Sequence, residues 1–395
     1  MDTTCLDACI NSDTRFALPN RNSRIGPRAD EAKRASDVVR ASHGARALLL
    51  TRPSSVNWRT GGMSDAIDVT AGIDPVWVLD SDAGSVLITN DVEAPRIEGD
   101  FHVRERGWDV LCAPWYDTSA ALALACSFAG VAADQLLSDS DDIGLNVNDE
   151  LIAARLVLGV EEREELRELG SLVGLALGAG IESWRPGVTT DFDAAAVITA
   201  ILEADGATAV CLIVGGDERL RSFRHPLAVG QVVSDAIMAV VVAKRAGLHA
   251  AATRICVRRS DDEIVSLVKT LDVVNDAVIE ASLPGGTWGD SADALAAGYQ
   301  SIGQPDAWRE HFQGGPIGFD QREFELAPFQ SASPFWNVPR RLNTAVAWNP
   351  SLRGGAKIEE TYLLGDEIEL LTTTPSWPLV ERPHGFKRSA LKVLS

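Results

Sequence analysis

The segment from Gly230 to Cys256, GQVVSDAIMAVVVAKRAGLHAAATRIC, constrains this chain most. Its apolar run Ala236–Ala243 is short and β-branched, which suits a buried strand and is far too short for a membrane span. Val232–Val242 and Ala251–Val257 read as strands, and so does Thr208–Val214. Asp191–Asp205 reads as an amphipathic helix, with Phe192, Ala195, Val197, Ile198, Ile201 and Leu202 spaced for one face and Asp191 near its N-cap. Asp261–Ser282 is a second amphipathic helix.

The rest of the chain continues the mixture. A helix is expected from about Asp30 to His43, and strands at Ala45–Thr51, Val76–Leu79 and Val86–Thr89, the last two parted by the turn residues Asp80–Gly84. Thr118–Gly130 is a further helix. Strands alternating with helices predict an α/β domain. Glu150–Gly180 reads as one long helical stretch whose charge run, Glu161–Glu168, is a solvated face. From His311 onward Gly, Pro, Trp and short apolar runs predict mostly strands and loops. With 395 residues, two domains are expected. Residues 1–30, rich in Asp, Asn, Arg and Ser, read as a flexible arm, and the domain junction falls near residue 160.

A formal net charge of −20 opposes nucleic-acid binding, which depends on neutralising phosphates. No apolar leader and no membrane-length run is visible. The six Cys form no C-x-x-C pair, and the pattern predicts a reducing, cytoplasmic setting.

Six stretches, in order, carry a resemblance. Ser55–Gly62 (SVNWRTGG) has an Asn before an aromatic and a T-G. Arg185–Thr189 (RPGVT) resembles a helix-opening P-G-x-T. Gly247–Arg254 (GLHAAATR) keeps the frame of G-Y-x-x-D-x-T-R. Gln313–Gly318 (QGGPIG) resembles G-H-G-x-G, Trp348–Pro350 (WNP) resembles x-E-P, and Lys357–Thr361 (KIEET) resembles R-x-E-D-T. Together, over roughly residues 40–380, they resemble the creatinase / aminopeptidase P superfamily. The resemblance implies an α/β (α+β) protein. A creatinase-like N-terminal α/β domain (31–160) would precede a pita-bread C-terminal catalytic domain (161–395), and the chain would form a homodimer.

The superfamily's peptidases hold two metal ions through five side chains. Carried onto this chain, those positions are Val240, Ala251, Gly315, Asn349 and Glu359. Only Glu359 keeps its ligand type, and two cations need several oxygen or imidazole ligands. No metal and no cofactor is therefore expected, and the metallopeptidase reading is rejected. The nearest logic is that of creatinase, which the superfamily runs without metal.

That resemblance assigns roles to other residues. His225, before Pro226, falls where creatinase has its proton-transferring His; its ordinary pKa near neutrality suits acid/base work. The bland alternative is a loop-capping histidine. Arg322 falls where creatinase has an Arg that grips a carboxylate, a task a guanidinium fork performs well; with Glu323 it also reads as a surface ion pair. Glu359 is available as an acceptor for a cationic group or as a base of raised pKa. Asn349 suits a neutral amide, or simply an Asn-Pro turn. Alternation along the strand puts His249, Ala251 and Thr253 on the pocket face and Arg254 on the other, in a structural ion pair. His311 reaches toward the pocket, and Trp58 either lines its opening or lies in a core. Gly314, Gly315 and Gly318 allow close backbone approach and do not form a phosphate loop. Creatine does not fit, because the carboxylates that grip its guanidinium fall at Asn349 and Thr253.

Two functions follow. One is a metal-independent, creatinase-like enzyme acting on a small carboxylate-bearing compound, most simply by C–N bond hydrolysis; a lyase, isomerase or cyclase step of specialised biosynthesis needs the same proton shuttle. The other is a non-catalytic pita-bread module that binds a peptide or protein. Neither needs nucleic acid or membrane.

Overall fold

The computed structural model describes residues 22–63, 67, 71–117, 119–260 and 262–394, and these divide into two compact units on either side of Arg155 and Leu156. Most of the expected N-terminal arm lies outside the described residues. Where description begins, the chain is already helical: α1 is Asn22–Ser42, several residues longer than the pattern predicted.

The first unit continues with β1 (Ala47–Leu50), α2 (Pro53–Thr60), β2 (Trp77–Ser81), β3 (Gly84–Asn90), α3 (Ala94–Phe101), β4 (Asp109–Ala113), α4 (Ala120–Ala129), β5 (Leu137–Ser138), β6 (Leu145–Asn146) and α5 (Asn148–Arg155). Thr118, where the sequence placed the start of α4, is outside the described residues. The strands form one mixed sheet in the order β4-β3-β2-β1-β5-β6. Alternate residues Leu49, Leu79, Val86 and Ile88 bury one sheet face against Ala125 and Ala129 of α4. Arg59 and Asp80 are drawn deep into this layer as a charged pair, guanidinium and carboxylate meeting through two hydrogen bonds of 2.8 and 2.9 Å.

The second unit opens with α6 (Val160–Glu182), α7 (Asp191–Ala204), β7 (Thr208–Gly216), α8 (Asp217–Ser222), β8 (Ala236–Arg245), β9 (Leu248–Val257), α9 (Glu263–Glu280) and α10 (Trp288–Ser301). The long helix expected over Glu150–Gly180 is two helices, α5 and α6. Between them Gly159 is extended and accepts the N-cap role, with Glu162 Oε2 taking its N–H, while Leu158 N–H bonds Asn343. The N-cap of α7 is Thr190, closed by Asp193, and Asp191 follows it as the first helical residue, in the cap region as expected. Asp262 caps α9; Asp261, the expected first residue, lies outside the described set.

β7, β8 and β9 form an antiparallel meander, and the short strand Lys392–Val393 runs parallel to β9. β8 and β9 are joined through Ala246 and Gly247, both at positive φ (46° and 79°), with Arg245 paired to Leu248. Two such residues between paired strands make the tight turn that matches strand twist. The hairpin explains why β9 begins at Leu248 rather than at Ala251. β8 begins later than expected because Val232 bridges to Thr190, and the N–H groups of Ser234, Asp235 and Ala236 go to the Asp217 carboxylate.

The remaining strands are β10 (Gly314–Pro316), β11 (Thr344–Trp348), β12 (Ser351–Leu352), β13 (Ala356–Lys357), β14 (Tyr362–Leu364), β15 (Ile368–Leu370), β16 (Leu379–Glu381), β17 (Lys387–Ser389) and β18 (Lys392–Val393). β10-β11-β14-β15 form a second sheet, and β12 with β13 a hairpin. α6 and α7 cover one face of the meander. Among the described residues no helix is long and apolar enough to cross a membrane.

Candidate functional site

The uncovered face of the meander is fixed by register. Cross-strand partners share a face. Val240 pairs with Thr253, Val242 with Ala251 and Met238 with Ile255, and on β7 Ile213 and Gly215 stand beside Val240 and Met238. The strand alternation thus brings Ala251 and Thr253 to one face, and Arg254 to the other. There Arg254 is buried against Glu360 (3.1 Å) and Thr374 (2.8 Å), the structural ion pair the alternation predicted.

His225 is delivered to this face by a loop tied at three points. Asp191 accepts the N–H groups of Val229, Gly230 and Gln231, and Asp217 holds the loop's far end. Pro226 lies directly on Gly215, where a Cβ would sit 2.5 Å from the Pro226 carbonyl oxygen. Only glycine at position 215 lets the loop come down here.

The His225 ring meets His311, with Nε2 to Nε2 at 3.0 Å and ring centroids 4.8 Å apart. His311 follows a short helical turn. Its backbone is anchored by buried Gln313, whose amide donates to the His311 carbonyl at 2.8 Å. Burial, and then the Lys357 charge, pushes the His311 pKa down to about 3, so its ring is neutral at ordinary pH. A neutral His311 whose Nδ1–H donates to the Phe312 carbonyl leaves Nε2 as an acceptor. His225 must then donate through Nε2–H, which leaves His225 Nδ1 with a free lone pair. This tautomer chain is assigned from the hydrogen bonds. Burial and the Lys357 charge hold the His225 pKa below its ordinary value, opposed by Glu359 and joined by Arg322.

Glu359 is buried, and its carboxylate is engaged on every side. Thr253 Oγ1 donates to Oε2 at 3.0 Å, Asn349 Nδ2 donates to Oε1 at 3.2 Å, and the buried Lys357 ammonium stands 3.4 Å from Oε2. The expectation of a free carboxylate is therefore corrected: Glu359 is the counter-ion of Lys357. Asn349 is 2% exposed, and its Oδ1 has no hydrogen-bond partner among the described residues. An unpaired buried acceptor is costly unless a ligand supplies the donor.

Arg322 is half-buried and, among the described residues, makes no hydrogen bond or ion pair, although its charge reaches both His225 and Cys211. Glu323 is engaged by backbone. Its Oε1 accepts the N–H groups of Phe319 (2.8 Å) and Asp320 (3.2 Å) and so shapes the loop that presents Arg322. His249 shares the strand face of Ala251 and Thr253, as the alternation predicted, but its Nδ1–H donates to the Gly318 carbonyl at 3.1 Å, and burial drives its pKa down to about 3. Trp58 is 3% exposed within the first unit. Cys211 lies under the same charges, but burial and then Glu359 push its thiol up, which keeps it protonated and unreactive.

The five positions that the resemblance gives to metal ligands can be tested on this geometry. Val240 and Ala251 are apolar, and Gly315 has no side chain. Asn349 and Glu359 are bonded to one another, and an ammonium already faces the carboxylate. These residues do not fit a pair of metal ions. Among the described residues no three His, Cys, Asp or Glu side chains gather as a metal site would require.

No family model matches the sequence, and no curated protein matches it. Solved structures do. Dipeptidase PepE from Mycobacterium ulcerans superposes with a TM-score of 0.72 at 16% identity, over 94% of this chain and 98% of that one. X-Pro aminopeptidase from Thermotoga maritima gives 0.67 at 17% identity, over 92% and 99%. The chain has the pita-bread fold of the creatinase / aminopeptidase P superfamily. The N-terminal domain of FACT complex subunit SPT16 from chickpea (Cicer arietinum) shares it too, with a TM-score of 0.62 at 12% identity, over 90% and 97%.

Within this pita-bread domain the residue that sequence reasoning missed is Lys357. It stands in the KIEET motif as quoted, but a lysine two residues before a carboxylate gives no signal beyond the same-side spacing of extended chain. That spacing was the available clue.

Proposed function

We propose that the chain is a metal-independent, creatinase-like hydrolase that cleaves a C–N bond in a small carboxylate-bearing compound. The observation that carries this reading is the 3.0 Å His225–His311 contact, which leaves His225 Nδ1 as a free base beside cationic side chains. In the proposed reaction Arg322 grips the substrate carboxylate. Asn349 Oδ1 accepts an N–H of the scissile group. The Lys357 ammonium, held by Glu359, faces the carbonyl oxygen on which negative charge develops. His225 Nδ1 removes a proton from the attacking water and returns it to the departing nitrogen. His311 fixes the His225 tautomer and does not itself titrate. In this reading residues 161–395 form the catalytic domain and 31–160 the N-terminal one. A homodimer in a reducing cytoplasm belongs to the same proposal, supported by free thiols at Cys112, Cys126, Cys211 and Cys256.

The test is turnover of a panel of N-acyl and N-carbamoyl amino acids after exhaustive dialysis against chelator. Expected is hydrolysis that survives chelation and falls by about 10²–10⁴ in His225→Ala with unchanged circular dichroism. Turnover that appears only when a divalent metal is added would overturn it.

One observation favours the alternative of a peptide- or protein-binding module. Val188, Phe192, Val229 and Val232 are all exposed on adjacent segments joined by the Thr190–Val232 bridge. A binding module has no use for both His225 and Arg322. If neither substitution alters any turnover while a Phe192→Asp variant abolishes partner capture, that alternative replaces hydrolysis.

A further inference from the structure

A cavity lies under the β12–β13 hairpin, beside the histidine pair. Its walls are the end of α8, Met238, Glu310 and the hairpin itself. Four cationic side chains line it, Arg221, Arg224, Arg353 and Lys357, against one carboxylate, Glu310. That is the reverse of the whole chain, whose net charge is −20. Arg221 is balanced by Asp262 at 2.8 Å, and Lys357 by Glu359. The other two guanidiniums share Glu310: Arg224 bonds its Oε2, and Arg353 Nε lies 2.9 Å from both oxygens. One carboxylate between two guanidiniums leaves a positive charge uncompensated. At the hairpin tip Gly354 and Gly355 have positive φ (92° and 99°). Gly355 comes so close to the cavity floor that a Cβ would lie 3.0 Å from Leu220 Cγ, so the wall there is bare backbone.

The cavity adjoins the reacting groups. Arg224 precedes His225, and the charges of Arg224 and Lys357 both act on His311. Met238 lies on the same strand face as Val240.

We propose that this cavity is an anion subsite, so that the substrate carries a second acidic group besides the carboxylate assigned to Arg322. This rests on the reading of His225 and Arg322 as the reacting pocket. Two guanidinium forks suit a carboxylate or a phosphate equally, since both offer paired oxygens. The incoming anion shares the forks of Arg224 and Arg353 with Glu310.

Calorimetric titration at low ionic strength tests this with three probes: inorganic phosphate, glutarate and acetate. The proteins are the wild type, Arg353→Glu, Arg353→Gln and Arg322→Gln. The Arg353 side chain is 80% exposed, so its substitution leaves the fold intact. Expected is wild-type binding of glutarate or phosphate that weakens about tenfold or more in Arg353→Glu, and in the same direction in Arg353→Gln. Loss confined to phosphate assigns a phosphate group, and loss confined to glutarate a second carboxylate. Equal affinity of both probes for wild type and Arg353→Glu, or no binding of either by wild type, overturns the subsite. Arg322→Gln separates the two claims: it should weaken acetate and spare phosphate. Unchanged acetate affinity there removes Arg322 from the reaction and overturns the two-acid substrate, while the phosphate and glutarate arms still decide whether the cavity binds anions.

Discussion

Lys357 stands 3.4 Å from Glu359 with both side chains buried, and each charge depends on the other. Removing one partner of a buried pair strands the other, which costs about 3–5 kcal/mol, whereas replacing both is often near neutral. Lys357→Met should therefore destabilise by that order in denaturant titration, and Lys357→Met/Glu359→Gln should recover most of the loss. Equal stability of the two variants would mean the pair carries no coupling. The histidines set the pH behaviour. The His225 pKa is lowered, first by burial, so its base form persists below the ordinary histidine range. The acidic limb of kcat/KM should lie below about pH 6.5, and a limb above it would contradict the assignment. His249, with a pKa near 3, is neutral in the fold and protonated in the unfolded chain over the interval from about 6.5 to 3. There the unfolded state holds more protons, so stability rises with pH by up to about 1.4 kcal/mol per unit. His249→Asn, which keeps a donor for Gly318, should reduce without abolishing the dependence of Tm on pH between 4 and 6.5, because His311 is held down to about 3 as well. An unchanged slope would show that another group is responsible. At this scale the sequence was partly legible. His225, His311, Arg322, Asn349 and Glu359 were all named from motifs. The role of Lys357, the engaged state of Glu359 and the bond from His249 to Gly318 were not, because each depends on which neighbours the fold brings within 3–4 Å.

Elements explain how such a pocket is held open. α6 lies so close to the chain after β15 that a Cβ on Gly174 would meet the Thr373 carbonyl oxygen at 2.0 Å. Glycine to alanine in a helix is ordinarily worth up to about 1 kcal/mol of stabilisation. Here overpacking should reverse the sign, and Gly174→Ala should destabilise by about 1–3 kcal/mol in denaturant titration. A gain in stability would contradict the close approach. Strand and helix types were readable from periodicity, as α7, β7 and α9 illustrate. Boundaries were read less well, and always for a local reason. The β8–β9 turn uses Ala246 rather than the residues that usually mark such turns. Asp217 and Asp191 capture backbone N–H groups and so delay β8. Extended Gly159 parts α5 from α6 inside an otherwise continuous helical pattern. The loop carrying His225 is fixed by the same two aspartates, so its position is built by elements distant in sequence.

The whole molecule is an acidic chain with a pita-bread fold, and the positions that the resemblance gives to metal ligands do not make a metal site. The order of six short motifs made that fold legible, because each marks a place where a family's backbone needs a particular residue type. The chemistry was less legible, since it depends on what replaced the ligands: an ammonium against Glu359, an orphaned Asn349 oxygen and a pair of neutral histidines. In the proposed function these together form a site for moving protons. The measurement that bears most directly on this is elemental analysis of the protein after equilibration with excess zinc, manganese or cobalt and removal of free ions. The proposed chemistry requires well below one bound metal ion per chain. About two per chain, retained stoichiometrically as in a two-metal hydrolase, would contradict it.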